Sequence, residues 1–451
     1  MTWLFRLVVA GLVLGYTFGG KSFAYIGVRP VFVGEAGIVL AFLVFVLRRD
    51  RFRLLRSKAG MMILLLMLYG AVRLMPDIER YGMLALRDSV IWGYAIFALA
   101  GFLAFRNGKW TRIPQWYGRW APWILIVLPP ALLFSGFMAD ALPEIAAGVP
   151  LLYLKPGDVG VHLAGLGAFF IVFRFRWARF PAALMWMLWW LGAAIVASYN
   201  RGGTLAYIIG VGIAWAYRPL RKTHLRVASI TIVSWFVGAA ALGSFDLVTS
   251  HHRNVSLEQV SENVLSLVGQ SSDERLSSTV SWRLVWWASI VNDALISQRD
   301  WFGIGFGPNL AMIQGYDGNA EEGTRSPHNI VMTFLARTGI IGVSIWLILI
   351  GMLFVGAYRG IGRMSPASMQ AKDTLAWLLA YWVAMLVNAS VDVYIEGPQG
   401  GIPFWVLTGC IAAGIADIRD GSVTPAVHDS TTSDRRNGEV SRGLTFGAPP
   451  D

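Results

Sequence analysis

The chain has 451 residues, of which 55% are hydrophobic and only 14% charged, with a mean hydropathy of +0.55. Soluble domains carry about 25% charged residues, so a soluble globular class is excluded. Apolar runs of roughly 16 to 20 residues, the length that crosses a bilayer, follow one another along the chain and imply an all-α polytopic membrane protein.

The net charge of +11 speaks against a nucleic-acid partner because of where it sits. Basic residues gather in short polar gaps: RRDRFRLLRSK (Arg48 to Lys58), RNGKWTR (Arg106 to Arg112), RFRWAR (Arg174 to Arg179), RPLRKTHLR (Arg218 to Arg226) and RGIGR (Arg359 to Arg363). Every second gap is basic and the gaps between are poorer in Lys and Arg. That is the positive-inside pattern, so the basic gaps are expected on the cytoplasmic side.

Threaded through this rule, the chain forms a helical bundle of about 12 transmembrane helices with a large periplasmic loop. Spans are expected near 3–18, 30–47, 59–75, 84–105, 120–137, 158–173, 181–199, 203–217, 227–245, 330–357, 374–391 and 401–417. The first run has only Arg6 ahead of its apolar centre and no small-residue cleavage site behind it, so it is taken as a span and not a secretory signal. The organisation is then 1–245 for helices one to nine, 246–327 for the periplasmic loop, 328–419 for helices ten to twelve, and 420–451 for a polar tail expected to be disordered and cytoplasmic. Within the loop, VSLEQVSENVLSLV sets Leu257, Val260, Val264 and Val268 at helical spacing. A second run, STVSWRLVWWASIVNDALI, carries Trp282, Trp286 and Trp287 beside Arg283. Indoles prefer the headgroup level, so this helix is expected to lie flat on the outer leaflet.

On this topology, polar residues distant in sequence converge on the outer side. Arg201 in SYNRGG stands between two spans, Arg283 in the amphipathic helix, His328 at the start of a span, and Asp392 and Glu396 in VDVYIEGPQGG, the last outer gap. Ionisable groups clustered in a multi-span protein mark a site. Each has a plainer reading. Arg201 could snorkel to headgroups, although Gly202 and Gly203 leave no side chain to crowd an approaching anion. Arg283 could be the polar face of its helix. His328 could be a hydrogen-bonded core residue, and the two carboxylates could pair with the arginines. For His328, Ser326 suits an N-cap and Pro327 the first helical position. This places the ring in the first helical turn, where the helix dipole favours a neutral imidazole able to accept a proton. Arginine forks match phosphate oxygens; with an imidazole base they suit displacement of a phosphate leaving group by an alcohol, on a lipid-linked substrate.

Other features attract no chemistry. Glu35, Arg73, Arg87 and Arg337 lie in or near spans and are assigned buried pairing. GIGFG, Gly303 to Gly307, lacks the strand context of a nucleotide loop. His251 and His252 lack a third ligand at metal-site spacing. Cys410 reads as a small buried hydrophobe.

The order of SYNRGG, then WRLVWWASI and WFGIGFGPN in a large loop, then SPHNIVMTFLARTGIIG resembles the O-antigen ligase and polymerase family of bacterial envelope glycan assembly. The resemblance covers roughly Ser198 to Val343, with one departure: the family more often has Ser before the Arg of its SRGG-like turn. It implies a fold like the membrane-embedded, metal-independent glycosyltransferases that use polyprenyl-linked donors, with no cofactor. It implies an undecaprenyl-diphosphate-linked glycan as donor and the bacterial inner membrane as location, the active site facing the periplasm. Arg201 and Arg283 would hold the diphosphate and His328 would activate the acceptor hydroxyl, with Asn329, Asp392 and Glu396 in support. The acceptor would be a lipid A-core in a ligase, or a lipid-linked glycan repeat in a polymerase. A non-enzymatic transporter is the third reading. It fits less well, because transporters commonly show internal repeats and a midplane site.

Overall fold

The computed structural model describes residues 2–28, 31–138, 140–146, 148–175, 181–219, 229, 274–296, 301–316 and 324–422, with backbone alone for 274–280. Among them are fourteen α-helices. In chain order they are α1 (Thr2–Phe23), α2 (Val33–Leu47), α3 (Lys58–Tyr81), α4 (Met83–Gly93), α5 (Ala95–Phe105), α6 (Ile113–Phe137) and α7 (Pro156–Phe173). There follow α8 (Ala182–Tyr199), α9 (Arg201–Tyr217), α10 (Glu274–Val291), α11 (Leu310–Ile313), α12 (Ile330–Arg363), α13 (Met369–Ala389) and α14 (Pro398–Arg419). Eight helical stretches among the described residues are long and apolar enough to cross a membrane. The protein is an all-α, multi-pass membrane protein.

Every expected span except the ninth coincides with helix, although those at 30–47, 203–217 and 374–391 are not among the eight. The ninth, 227–245, lies outside the described residues, as do the Leu257–Val268 run, His251 and His252, and the tail beyond Ser422. The expected span 84–105 is two helices, α4 and α5, that meet at Tyr94. Two short antiparallel hairpins, Gly27–Val28 with Val31–Phe32 and Glu144–Ala146 with Val149–Pro150, occupy gaps in which no strand was expected.

Helix α7 is the centre of the bundle, buried along its whole length. Its glycines allow this. A Cβ at Gly160 would lie 2.9 Å from the Gly203 Cα of α9, one at Gly165 would meet the Tyr381 ring of α13 at 2.5 Å, and one at Gly167 would strike Trp189 of α8. With lipid as apolar as any side chain, close backbone approach is what binds membrane helices together. Cys410 of α14 is buried with a free thiol.

Buried charges pair near both ends of the bundle. At one end Arg106 meets Asp417 at 2.9 Å and Arg218 meets Asp373 at 3.1 Å. Nearer the other end Asp88 of α4 accepts from Arg337 at 3.0 Å and from Arg325 at 3.2 Å. Glu35 caps its own helix by accepting from the Phe32 amide at 3.1 Å.

Candidate functional site

The segment 390–397, between α13 and α14, is where the predicted residues meet. Helices α7, α9, α12 and α14 all begin around it. Helix N-termini carry unpaired amides and a partial positive charge, so this end of the bundle favours anions.

His328 and Asp392 face each other, with Nδ1 3.6 Å from the carboxylate Oδ1 and each side chain about one-fifth exposed (22% and 20%). That separation is an electrostatic contact, too long for a hydrogen bond. Burial pushes the Asp392 carboxyl up, while neighbouring His328 and Lys155 pull it down; the pull prevails and it sits below the ordinary carboxylate range. A carboxylate beside Nδ1 favours the tautomer with the proton there, which leaves Nε2 able to accept one.

The local backbone differs from the expected helix start. Helix α12 begins at Ile330, and its N-cap is Asn329, whose Oδ1 accepts from the Val331 amide at 2.9 Å and the Met332 amide at 3.2 Å. His328 therefore precedes the helix and adopts a left-handed conformation, φ 54°. The reason lies with Ser326. Its hydroxyl donates to Glu396 Oε1 at 2.8 Å, and Thr333 of α12 donates to the same oxygen at 2.9 Å. Ser326 is thus taken up by Glu396, and Asn329 caps instead. Glu396 is a half-buried tie between α12 and α14, its carboxyl pushed up by desolvation against the pull of these hydroxyls.

Arg283 is half-buried in α10. Its Nη1 donates to the Val391 carbonyl at 3.0 Å, and its guanidinium lies 5.7 Å from the centre of the Trp282 ring. Trp282 stands edge-on to the His328 ring, with centroids 6.4 Å apart. The indoles turn inward, contrary to the headgroup placement expected for them. Trp286 is fully buried, its Nε1 donating to Gln314 at 2.6 Å, and Trp287 donates to the Pro327 carbonyl at 2.7 Å. Indole N–H groups seek acceptors when buried, and here the acceptors lie beside His328. The exposed face of α10 is instead Leu284 and Val285.

Arg201 is the first residue of α9 and half-buried. Asn200 caps that helix, its Oδ1 accepting from the Gly203 amide at 2.7 Å. A serine would do the same work, so the departure SYNRGG leaves the turn intact. The two glycines serve packing. A Cβ at Gly202 would lie 2.5 Å from Val391, and one at Gly203 would lie 3.0 Å from the Gly157 Cα. They let α9 close against α7 and the 390–397 segment, which sets Arg201 beside it.

Two residues here were not singled out from sequence. Lys155, just before α7, sends Nζ to within 3.4 Å of the Val393 carbonyl. Burial lowers its affinity for a proton, Asp392 and Asp158 raise it, and the acids prevail. Asp158 is 6% exposed in the first turn of α7, and neither carboxylate oxygen has a hydrogen-bond partner among the described residues. The signal was a lone lysine in a gap poor in basic residues, in LKPGDVG.

GIGFG proves structural. Its Phe306 amide donates to Asp77 at 2.8 Å and its Gly307 amide to Asp88 at 3.1 Å. Arg73 donates to the Phe302 and Gly303 carbonyls, each at 2.8 Å, and Arg337 donates to the Gly305 carbonyl at 3.1 Å. Arg73 and Arg337 thereby hold this loop to α3, α4 and α12. Arg87 pairs with Asp88 at 3.2 Å. No group of three His, Cys, Asp or Glu in a metal-holding arrangement stands among the described residues.

A family model described as O-antigen ligase matches residues 186–347. The matched stretch starts in α8, takes in Arg201, Arg283 and His328, and ends in α12. No curated protein matches the chain.

Proposed function

Because the chain carries the O-antigen ligase family domain over residues 186–347, we propose that it is a ligase-type glycosyltransferase of the bacterial inner membrane. It moves a glycan from undecaprenyl diphosphate to a lipid A-core hydroxyl on the periplasmic side. The observation that supports this best is the juxtaposition at adjacent residues of one segment: Asp392 faces His328, and Val391 receives Arg283.

The acceptor hydroxyl attacks the anomeric carbon of the donor sugar, and the bond from that carbon to the diphosphate oxygen breaks. His328 Nε2 takes the hydroxyl proton, while Asp392 holds the opposite side of the ring. The departing diphosphate keeps the bonding electrons, and its oxygens are met by the guanidiniums of Arg201 and Arg283. Arginine suits this because it stays charged and presents a planar fork to phosphate oxygens. Lys155 and the four helix N-termini add positive potential. In this reading fixed guanidiniums meet the leaving group's charge and no metal takes part.

The test is a purified reaction with a lipid-linked glycan and a lipid A-core acceptor. The proposal expects glycosylated lipid A-core. Longer lipid-linked chains would mark a polymerase instead, and no transfer to either acceptor would remove the enzymatic reading.

A further inference from the structure

The end of the bundle opposite the candidate site holds a second site of different character. Helix α1 identifies that end: Lys21, near its C-terminus, donates its amide to the Tyr153 carbonyl close to Lys155, so Trp3 and Arg6 lie at the far end. There, α1, α6, α13 and α14 enclose a cavity of about 300 Å³. Its walls are almost wholly apolar side chains, and it reaches from Trp3 to Val13 along α1. Those ten or so residues rise about 15 Å, half of a hydrocarbon core roughly 30 Å thick. The cavity is therefore about one leaflet deep.

Its mouth is basic. Arg6, Lys109 and Arg112 line it, and among the described residues none of the three forms an ion pair. Nearby carboxylates are already taken: Asp417 and Asp420 both accept from Arg106, at 2.9 and 2.7 Å. Trp3 and Leu7, on the same wall, are 68% and 55% exposed, so the cavity opens sideways toward acyl chains. Three cations at the interface, above a slot one leaflet deep, complement a lipid with an anionic head and an apolar tail.

We propose that this cavity is a binding site for an anionic glycerophospholipid of the leaflet opposite the candidate site. The phosphate sits among Arg6, Lys109 and Arg112, and one acyl chain lies along α1. The proposal does not rest on the glycosyltransferase reading, and its readout does not involve transfer.

The test uses the full-length protein in nanodiscs of phosphatidylcholine doped with spin-labelled phosphatidylglycerol or spin-labelled phosphatidylcholine. The immobilised fraction of each is measured by electron spin resonance. Wild type should immobilise the anionic lipid preferentially. A charge near the surface is worth about fivefold in such binding, so Arg6→Gln, Lys109→Gln and Arg112→Gln together should erase the preference. Arg6→Lys with Arg112→Lys should keep it, and Ala10→Trp, which fills the cavity, should release the label of either lipid. Equal immobilisation of both lipids by wild type would overturn the proposal. So would a preference unchanged in the triple variant, or displacement of the label by undecaprenyl phosphate but not by unlabelled phosphatidylglycerol. The last result would give the cavity to the polyprenyl carrier.

Discussion

His328 is a non-glycine residue held at φ 54°, a conformation that costs on the order of 1 kcal/mol or more and persists where its surroundings enforce it. Here the preceding carbonyl accepts from Trp287 and the following side chain caps α12. A general base is worth about 10²–10⁴-fold in rate. His328→Ala should therefore lower transfer by about that factor with donor binding largely kept. His328→Gln can still hydrogen-bond an acceptor sugar but cannot take its proton, so activity in Gln and not in Ala would make His328 a positioning residue. Asp392→Asn tests the ring orientation. An amide can donate to Nδ1 and move the proton to Nε2, which removes general-base help worth about 10²–10⁴-fold, so turnover should fall by up to that factor while KM for the donor changes little. The same variant has a stability signature. The Asp392 carboxyl is held below its usual range. Its stabilising contribution is thus present above the unfolded value near pH 4 and lost as pH falls through the folded value. Melting curves of Asp392→Asn against pH should lack that acid-side fall. The residue types that meet here were legible in the sequence, because the alternation of spans brings Arg201, Arg283, His328 and Asp392 to one side, although each alone has a plainer reading. Lys155 and Asp158 were not, since a lysine followed by Pro-Gly reads as an ordinary turn until Asp392 is seen beside it.

Helices were legible as apolar runs, but their ends depended on contacts from far along the chain. SPHN offers two N-caps, and Glu396, 70 residues on from Ser326, decides between them. The GIGFG loop shows the same dependence: glycines with φ of 76°, 95° and 108° make a turn whose amides and carbonyls are claimed by α3, α4 and α12. A Cβ at Gly305 would strike the Asp77 carboxylate, and one at Gly303 would strike the Arg337 backbone. Asp88 is the hub, accepting from Arg337, Arg325, Arg87 and the Gly307 amide. Asp88→Asn leaves Arg337, only 4% exposed at its side chain, without its counter-charge. Stripping one partner from a buried pair costs about 3–5 kcal/mol. The variant should show a markedly lower melting temperature in detergent and reduced protein in membranes. An unchanged melting temperature would mean that the loop is held by its backbone contacts alone.

Across the whole molecule, the helix ends decide sidedness. From the far end, α3, α6, α8 and α13 run toward the candidate site, and α7, α9, α12 and α14 run away from it. Helix α9 finishes at the far end, where Arg218 pairs with Asp373 at the start of α13. Helix α10 lies at the site end, where Arg283 reaches Val391. The expected ninth span, 227–245, lies outside the described residues. The basic gaps at Arg48–Lys58, Arg106–Arg112 and Arg359–Arg363 all lie at the far end, beyond α2, α5 and α12. An excess of Lys and Arg marks the cytoplasmic side, so the candidate site is expected in the periplasm and both termini in the cytoplasm. Paired reporters fused at Ser271 and at the C-terminus measure this directly: alkaline phosphatase should be active only at Ser271 and a cytoplasmic fluorescent reporter only at the C-terminus. Both positions reporting one compartment would require an even number of crossings between them. The three crossings by α12, α13 and α14 would then be miscounted, and where the shared compartment is the cytoplasm His328 and Asp392 could not meet a periplasmic donor.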